Sequence, residues 1–243
     1  NRYFSYPSGI YLGETREQLP APEPRSIFRG YVAHVGDDAY FGLTSPLRGY
    51  RYRVELSRSQ GWINYWGITA DYRRYFFFKP FGLAFRAMHN GRYGKDAGAL
   101  YPMYLGYPYY VRGYQYKKLY QDRCPEGDCL DVNQISGTKM VVAGAELRLP
   151  FTGPRRLALI KFRYLYTDLV GFFDGGLAWS EFGNIGFNWD PAGSRQVPVF
   201  SAGAAIRINL FGALIIEPYY AFPFQRDTGG TGEFGFTLLG VGW

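Results

Sequence analysis

Histidine and cysteine, which often carry out catalysis or bind metals, are few in this sequence. The only histidines are His34 and His89, and the only cysteines are Cys124 and Cys129. Two cysteines do not make a zinc site by themselves, and both histidines lie far from them in the sequence. A Ser–His hydrolase needs a histidine on the same surface as its serine, and neither histidine has a suitable serine beside it. We therefore predict no enzyme activity, no catalytic residue, no metal site and no cofactor.

The two cysteines stand close together in the stretch CPEGDC. The Pro-Glu-Gly-Asp spacer between them favours a tight turn. A small disulfide loop joining Cys124 and Cys129 is the preferred interpretation, and a reduced pair is the alternative. Since disulfides persist in oxidising compartments, the first interpretation favours a location outside the cytoplasm.

Aromatic residues are unusually frequent and make up 20% of the 243 residues, with 23 Tyr and 20 Phe. A soluble core of this size holds few large rings, whereas a β-barrel in a membrane also places them in girdles at the two lipid–water interfaces. No stretch approaches the roughly 18 apolar residues that a membrane-spanning helix needs, so a helical membrane protein is excluded. A soluble β-sandwich or lectin-like domain is the alternative.

The chain carries 27 basic and 20 acidic residues, which gives a formal net charge of +7. A soluble basic protein would suggest nucleic acid as a partner. Here the basic residues are scattered through the predicted strands and form no patch, so we predict no nucleic-acid binding. In a protein of the cell envelope they can face lipid phosphates or a charged lumen.

Several segments alternate between apolar and polar residues with a period of two. The clearest are YRYRVELSRS at 50–59, MVVAGAELRL at 140–149 and VFSAGAAIRINLF at 199–211, and in each an apolar face lies opposite a face that holds most of the polar and charged residues. Such segments are half-buried strands, and their length of about ten residues suits a tilted strand that crosses a membrane. The sequence therefore predicts an all-β fold, a transmembrane antiparallel β-barrel. We expect about nine strands, beginning near residues 27, 49, 64, 82, 138, 166, 197, 213 and 232.

The segments divide the chain into two parts. Residues 1–25 are rich in proline and show no sustained period, so we interpret them as a lead-in or linker. Residues 26–243 would form the barrel. Within it, residues 92–137 make one long connection, which we predict to be an external loop, because bacterial barrels have short turns on the periplasmic side.

Two motifs carry a resemblance to a known family. The long loop contains Val111-Arg112-Gly113-Tyr114, and a later predicted strand reads FFDGGLAW, with Phe172, Asp174, Gly176 and Trp179. Both resemble signatures of the outer-membrane assembly-factor superfamily that includes BamA, TamA and the two-partner secretion transporters, also called the bacterial surface antigen family. The resemblance covers residues 27–243 and implies an outer-membrane barrel of roughly sixteen strands, of which this chain would supply the C-terminal part.

The motifs also suggest how the loop is held. Alternation places Glu146 and Asp174 on the inward faces of adjacent predicted strands. If the loop folds back into the lumen, Arg112 can pair with both carboxylates, and Gly113 allows the tight turn that presents it. The alternative is that Arg112 is a solvated loop arginine and Asp174 an ordinary charge of the lumen.

The resemblance implies that the chain helps other proteins to insert into, or cross, the outer membrane, without making or breaking a bond. Its partners would be outer-membrane lipid and client or partner envelope proteins. The resemblance is closest to a branch in which a TolB-like propeller precedes the barrel, on stretches such as ADYRRYFFF and MYLGYPYYVRGY. The alternative function is therefore an anchor or conduit for a periplasmic propeller, repeat domain or complex. A passive porin is a further alternative, although a loop in the lumen would plug it.

Overall fold

Nine long strands form one antiparallel sheet in the computed structural model. The structure describes residues 2–5, 11–15, 25–119, 129–162, 164–187, 193, 195–210, 212, 214–226, 228 and 230–240. The prediction of an all-β antiparallel fold with about nine strands is confirmed. The strands are β1 (Ile27–Asp37), β2 (Pro46–Gly61), β3 (Tyr65–Phe78), β4 (Phe81–Tyr93), β5 (Lys139–Gly153), β6 (Tyr166–Trp179), β7 (Val199–Leu210), β8 (Leu214–Pro223) and β9 (Glu233–Gly240).

The sheet is a simple meander, because each strand pairs with its neighbours in the sequence. The ladder that joins β5 to β6 runs from the pair Lys139 and Trp179 to the pair Thr152 and Thr167. Among the described residues, β1 and β9 are the two edge strands of the sheet and are not paired with each other. The fold is therefore a curled, open part of a barrel.

The alternating sequence gives the sheet two different faces. On β5 the inward Val142 is 2% exposed, whereas the outward Leu147 is 48% exposed. The same contrast separates Phe172 from Phe173 on β6. The inward face lines a polar lumen, and the outward face presents large apolar side chains, as expected of strands that meet lipid.

The two ends of the sheet differ in their connections. At one end, here called the loop end, residues 94–138 join β4 to β5 and contain the short strands Met103–Tyr104 and Ser136–Gly137, the helix Tyr116–Leu119 and the 3₁₀ helix Val132–Ile135. At the other end, here called the turn end, β3 and β4 are joined by residues 79–80, and β7 and β8 by residues 211–213.

The segment before β2 also enters the lumen, from the turn end. The Ser45 hydroxyl donates a hydrogen bond of 2.7 Å to the buried Asp168 on β6. Asn209 on β7 donates to the carbonyl of Leu43, and Arg148 on β5 donates to the carbonyl of Pro46 over 3.1 Å. These contacts between residues distant in sequence show that the sheet is curled enough to bring β2 opposite β5, β6 and β7.

The remaining elements are short. Within the predicted lead-in, strands Arg2–Ser5 and Tyr11–Thr15 pair antiparallel with each other and not with the main sheet; the sequence analysis did not predict them. Tyr40–Phe41 pairs with β2, Ile160–Lys161 with β5, and Phe182–Asn184 is a 3₁₀ helix. No helix in the described part of the chain is long and apolar enough to cross a membrane.

Candidate functional site

The long loop folds back into the lumen and brings its motif with it. Three of its apolar side chains, Leu105, Val111 and Tyr114, are fully shielded from solvent. Its short strand Met103–Tyr104 pairs with Ser136–Gly137, and the backbone N–H of Leu105 donates to the carbonyl of Ile135 over 3.1 Å. The loop therefore has a packed interior of its own and presents Arg112 to the middle of the sheet.

Arg112 makes a two-pronged contact with Asp174 on β6. Its Nε lies 2.7 Å from Oδ2 of Asp174 and its Nη2 lies 2.9 Å from Oδ1. The backbone N–H of Arg112 also donates to Oδ2 over 3.3 Å. Both residues are buried. This parallel geometry uses the planar fork of a guanidinium, which a lysine cannot reproduce.

Two further carboxylates complete the surroundings of Arg112. Its Nη2 lies 3.1 Å from Oε1 of Glu146 on β5, and its Nη1 lies 3.0 Å from Oε1 of Glu217 on β8. The guanidinium carbon also stands 3.6 Å from the centre of the Phe172 ring, within cation–π distance. The loop is thus tied to three strands of the sheet through one side chain.

Two more arginines balance the charge. Arg148 donates to Oε2 of Glu146 over 2.7 Å, and Arg207 on β7 donates to Oε1 of Glu146 over 2.8 Å and also to Glu217. The cluster therefore contains three arginines and three carboxylates. Because ions removed from water lose much solvation energy, only such a balanced and fully hydrogen-bonded set is tolerated in a buried position.

Arg112 keeps its charge in this environment. Burial alone would lower its pKa, but the hydrogen bonds and charge of Asp174, together with the charges of Glu146 and Glu217, raise the pKa above its ordinary value. The contacts of Arg112 with Asp174, Glu146 and Glu217, here called the lock, are therefore made by an arginine cation.

The other motif residues of the loop fix its path next to β8. Gly113 has a φ of +92°, which favours glycine, and a Cβ there would lie 3.3 Å from Ala221 and Pro223. Its carbonyl accepts a hydrogen bond from Arg226. The hydroxyl of Tyr114 lies 2.8 Å from the carbonyl oxygen of Phe200 on β7. The two residues that follow Arg112 therefore join the loop to β7 and β8.

The strand motif on β6 is divided between the two faces of the sheet. Gly176 lies under the loop: a Cβ on it would come within 2.9 Å of both Leu105 and Val111. Phe172 and Asp174 share this inward face. Trp179 instead faces outward near the loop end, with its ring centroid 6.1 Å from that of His89 and 5.7 Å from that of Phe182.

The site therefore contains most of the residues that the sequence singled out, together with three that it did not: Arg148, Arg207 and Glu217. These three lie on the inward face of β5, β7 and β8, at positions that the alternation of the strands could have identified. Arg148 and Arg207 were assigned to polar faces, but no motif singled them out as partners. Glu217 shares the inward face of β8 with the buried Ile215 and Tyr219.

Only one of the two cysteines can be placed. Cys129 carries no free thiol. Cys124 lies outside the described residues, so the disulfide between them stays a prediction.

A cavity of about 500 Å³ adjoins the lock inside the lumen. Its walls include the three arginines and three carboxylates and a second ionic group at Asp71 on β3. There, Nη2 of Arg73 lies 2.8 Å and Nη2 of Arg86 lies 3.0 Å from Oδ2 of Asp71. Arg86 also donates to the carbonyl of Tyr109 over 2.7 Å, and this hydrogen bond gives the loop a second attachment to the sheet, at β4.

Comparison with known proteins agrees with the fold. The model of the Omp85 superfamily domain matches residues 37–240. The fold is similar to the crystal structure of BamA from Haemophilus ducreyi lacking POTRA domains 1-3, with a TM-score of 0.58 and 17% sequence identity. The similarity covers 88% of this chain and 42% of that BamA chain, so this chain spans less than half of its length. Among curated proteins, no sequence matches this chain.

Proposed function

The chain belongs to the Omp85 superfamily, and from this premise we propose that it acts in the insertion or translocation of proteins at the outer membrane. The observation that carries the proposal is the contact of the locked loop with the last hairpin of the sheet. Arg112 bonds Glu217 on β8, and Gly113 packs on Ala221 and Pro223 of the same strand. The loop therefore positions the hairpin that ends in β9.

The last strand offers an edge for pairing. In the described residues β9 is hydrogen-bonded to β8 alone, through the register from Leu214 and Gly240 to Ala221 and Glu233. A free strand edge presents a row of backbone donors and acceptors to which another strand can add. We propose that a strand of the client pairs there, and that no covalent bond is made or broken.

The lock would hold the edge of β9 in position while one client leaves and another binds. Arg226 reaches both the carbonyl of Gly113 and, over 3.4 Å, the carboxylate of Glu233 on β9. Gln115 in the loop donates to the hydroxyl of Tyr219 on β8 over 2.9 Å. The loop, β8 and β9 are therefore tied together by side chains, independently of the backbone ladder.

The proposal is tested by reconstituting the full chain in vesicles and following the insertion of a small unfolded outer-membrane barrel. We expect the chain to accelerate insertion, and a photo-crosslinker at Phe236 on β9 to capture the client. The matched control is a crosslinker at Phe85 on β4, which is also outward and exposed but lies on a strand paired on both sides.

The outcomes separate the two functions considered. Acceleration with capture at Phe236 and not at Phe85 supports insertion at the β9 edge. A barrel that only anchors a periplasmic propeller or other domain would enter the vesicles without accelerating insertion of the client. Equal capture at the two positions would show that clients do not use the β9 edge.

A further inference from the structure

The charges on the two faces of the sheet are of different kinds. On the outer face the register places three cations: Arg58 opposite Trp66, Arg74 opposite Tyr50, and Lys139 opposite Trp179. Every carboxylate on the nine strands lies on the inward face by the same register. These carboxylates are Asp37, Glu55, Asp71, Glu146, Asp168, Asp174, Glu217 and Glu233.

Each outer cation lies over an aromatic ring. The guanidinium carbon of Arg58 is 5.0 Å from the centre of the Trp66 ring, and that of Arg74 is 5.2 Å from the centre of the Phe76 ring. Nζ of Lys139 is 5.3 Å from the centre of the Tyr93 ring and 2.7 Å from the carbonyl oxygen of Ser180. The rings hold the side chains against the sheet.

These cations have no carboxylate within ion-pair distance in the described part of the chain. The arginines of the lumen are different: Arg73, Arg112 and Arg207, for example, each contact a carboxylate at 3 Å or less. A cation beside an apolar surface needs a counter-charge or water. On the outer face, the described residues supply no counter-charge.

The cations lie at two levels along the strands. Arg58 faces Trp66 at the loop end of β3, and Arg74 lies eight residues further along that strand. Eight residues span about 27 Å along a strand, or about 20 Å across a bilayer at the usual tilt. The outward side chains between them, at Ile68, Ala70 and Tyr72, carry no charge. This spacing is close to the height of the apolar band on membrane barrels.

We infer that Arg58, Lys139 and Arg74 bind the phosphate groups of anionic membrane lipids, the first two at the loop end and the third at the turn end. The inference rests on the membrane location that the proposed function also requires. The aromatic rings lie at the edge of the hydrocarbon, and the lipid phosphates supply the counter-charge that the outer face lacks. The cations thereby fix the height of the sheet in the bilayer.

The test measures which lipids stay on the protein. The full chain is reconstituted in vesicles of phosphatidylcholine mixed with phosphatidylglycerol, extracted gently, and its retained lipids are counted by native mass spectrometry. We expect the wild-type chain to retain phosphatidylglycerol in preference to phosphatidylcholine. In the triple variant R58Q/R74Q/K139Q the preference should fall by about fivefold for each cation removed.

Two control variants show whether position or total charge matters. K95Q/R155Q/R156Q removes the same charge from exposed connecting segments and should keep the preference. R58K/R74K keeps the positive charges of the outer face and should also keep the preference for phosphatidylglycerol. An unchanged preference in R58Q/R74Q/K139Q, or an equal loss in K95Q/R155Q/R156Q, would overturn the inference. The measurement needs no client, so a chain that keeps its lipid preference but inserts no client would contradict the proposed function alone.

Discussion

At the scale of single residues, the charges of the lumen are balanced as a set. Glu146 receives hydrogen bonds from Arg112, Arg148 and Arg207, so this one carboxylate is shared by three arginines. Because the cluster is buried, the loss of one member leaves an uncompensated charge for which water cannot easily substitute. The effect of a substitution therefore depends on the charge left behind as well as on the contact removed.

Replacing Arg112 by alanine should free the loop and leave the sheet folded. The change leaves three carboxylates facing two arginines. Removing one partner of a buried ion pair lowers the free energy of unfolding by about 3–5 kcal/mol, and by less where water enters the lumen. We expect residues 94–138 to become sensitive to protease in vesicles and client insertion to slow. Arg112→Lys is the matched control: it keeps the charge without the two-pronged contact and should show an intermediate defect.

The same lock predicts non-additive effects. Asp174→Ala should resemble Arg112→Ala, and the double variant should be little worse than either single one, because the two residues act through one contact. Limited proteolysis of the three variants measures this directly. Defects that simply add would mean that Arg112 and Asp174 support the loop independently.

A methyl group at Gly176 should also displace the loop. The Cβ of Gly176→Ala would lie within 2.9 Å of Leu105 and Val111, so the packed interior of the loop would have to shift. Overpacking of this kind costs about 1–3 kcal/mol. Gly171→Ala on the same strand is the control, since its Cβ meets no atom within 4 Å. Equal protease sensitivity in both variants would argue against close packing of the loop on Gly176.

At the scale of secondary structure, the long strands could be predicted from the sequence because their alternation is a local property. The predicted starts near 49, 82 and 213 compare with Pro46, Phe81 and Leu214 in the structure. The inward position of Glu146 and Asp174 follows from the same alternation. The entry of Ser45 into the lumen could not be predicted, because it depends on how strongly the sheet curls between β2 and β6.

The segment before β2 provides a prediction at this scale. Ser45→Ala removes the 2.7 Å hydrogen bond to Asp168 and leaves a buried carboxylate oxygen with one donor fewer. The cost should be about 1–3 kcal/mol in the free energy of unfolding, measured by urea titration of the chain in vesicles. Ser26→Ala, at an exposed serine before β1, should change it little. If the two variants have the same free energy of unfolding, the segment before β2 does not stabilise the sheet through Asp168.

The loop provides a second prediction. The spacing of Cys124 and Cys129 predicts a small disulfide, which removes both thiols from reaction. A thiol-reactive label added without reductant should then modify neither cysteine, and should modify both after reduction. Quantitative labelling of the untreated protein would show that the pair is reduced.

At the scale of the whole molecule, the sheet separates two environments. The lumen contains the ion pairs that hold the loop and the hydrogen bonds that hold the segment before β2. The outer face has apolar side chains at its centre and cations near both ends. In water, such an outer face would be a large exposed apolar patch, which soluble monomers avoid. In a bilayer it is the expected surface, and this difference gives a quantitative test.

Val54 lies at the centre of the outer face, on β2 between Arg58 and the position opposite Arg74, and is 50% exposed. If this face meets hydrocarbon, Val54→Arg should destabilise the chain by about 2–4 kcal/mol in vesicles, as arginine does at the midplane of membrane barrels. If the face met water, the same substitution would change the free energy of unfolding by only about 0.5 kcal/mol. Tyr101→Arg, at a loop residue that is 94% exposed, introduces the same charge outside the sheet and should be neutral. Urea titration of both variants decides between the two environments, and equal stabilities would show that the outer face of the sheet does not lie in lipid.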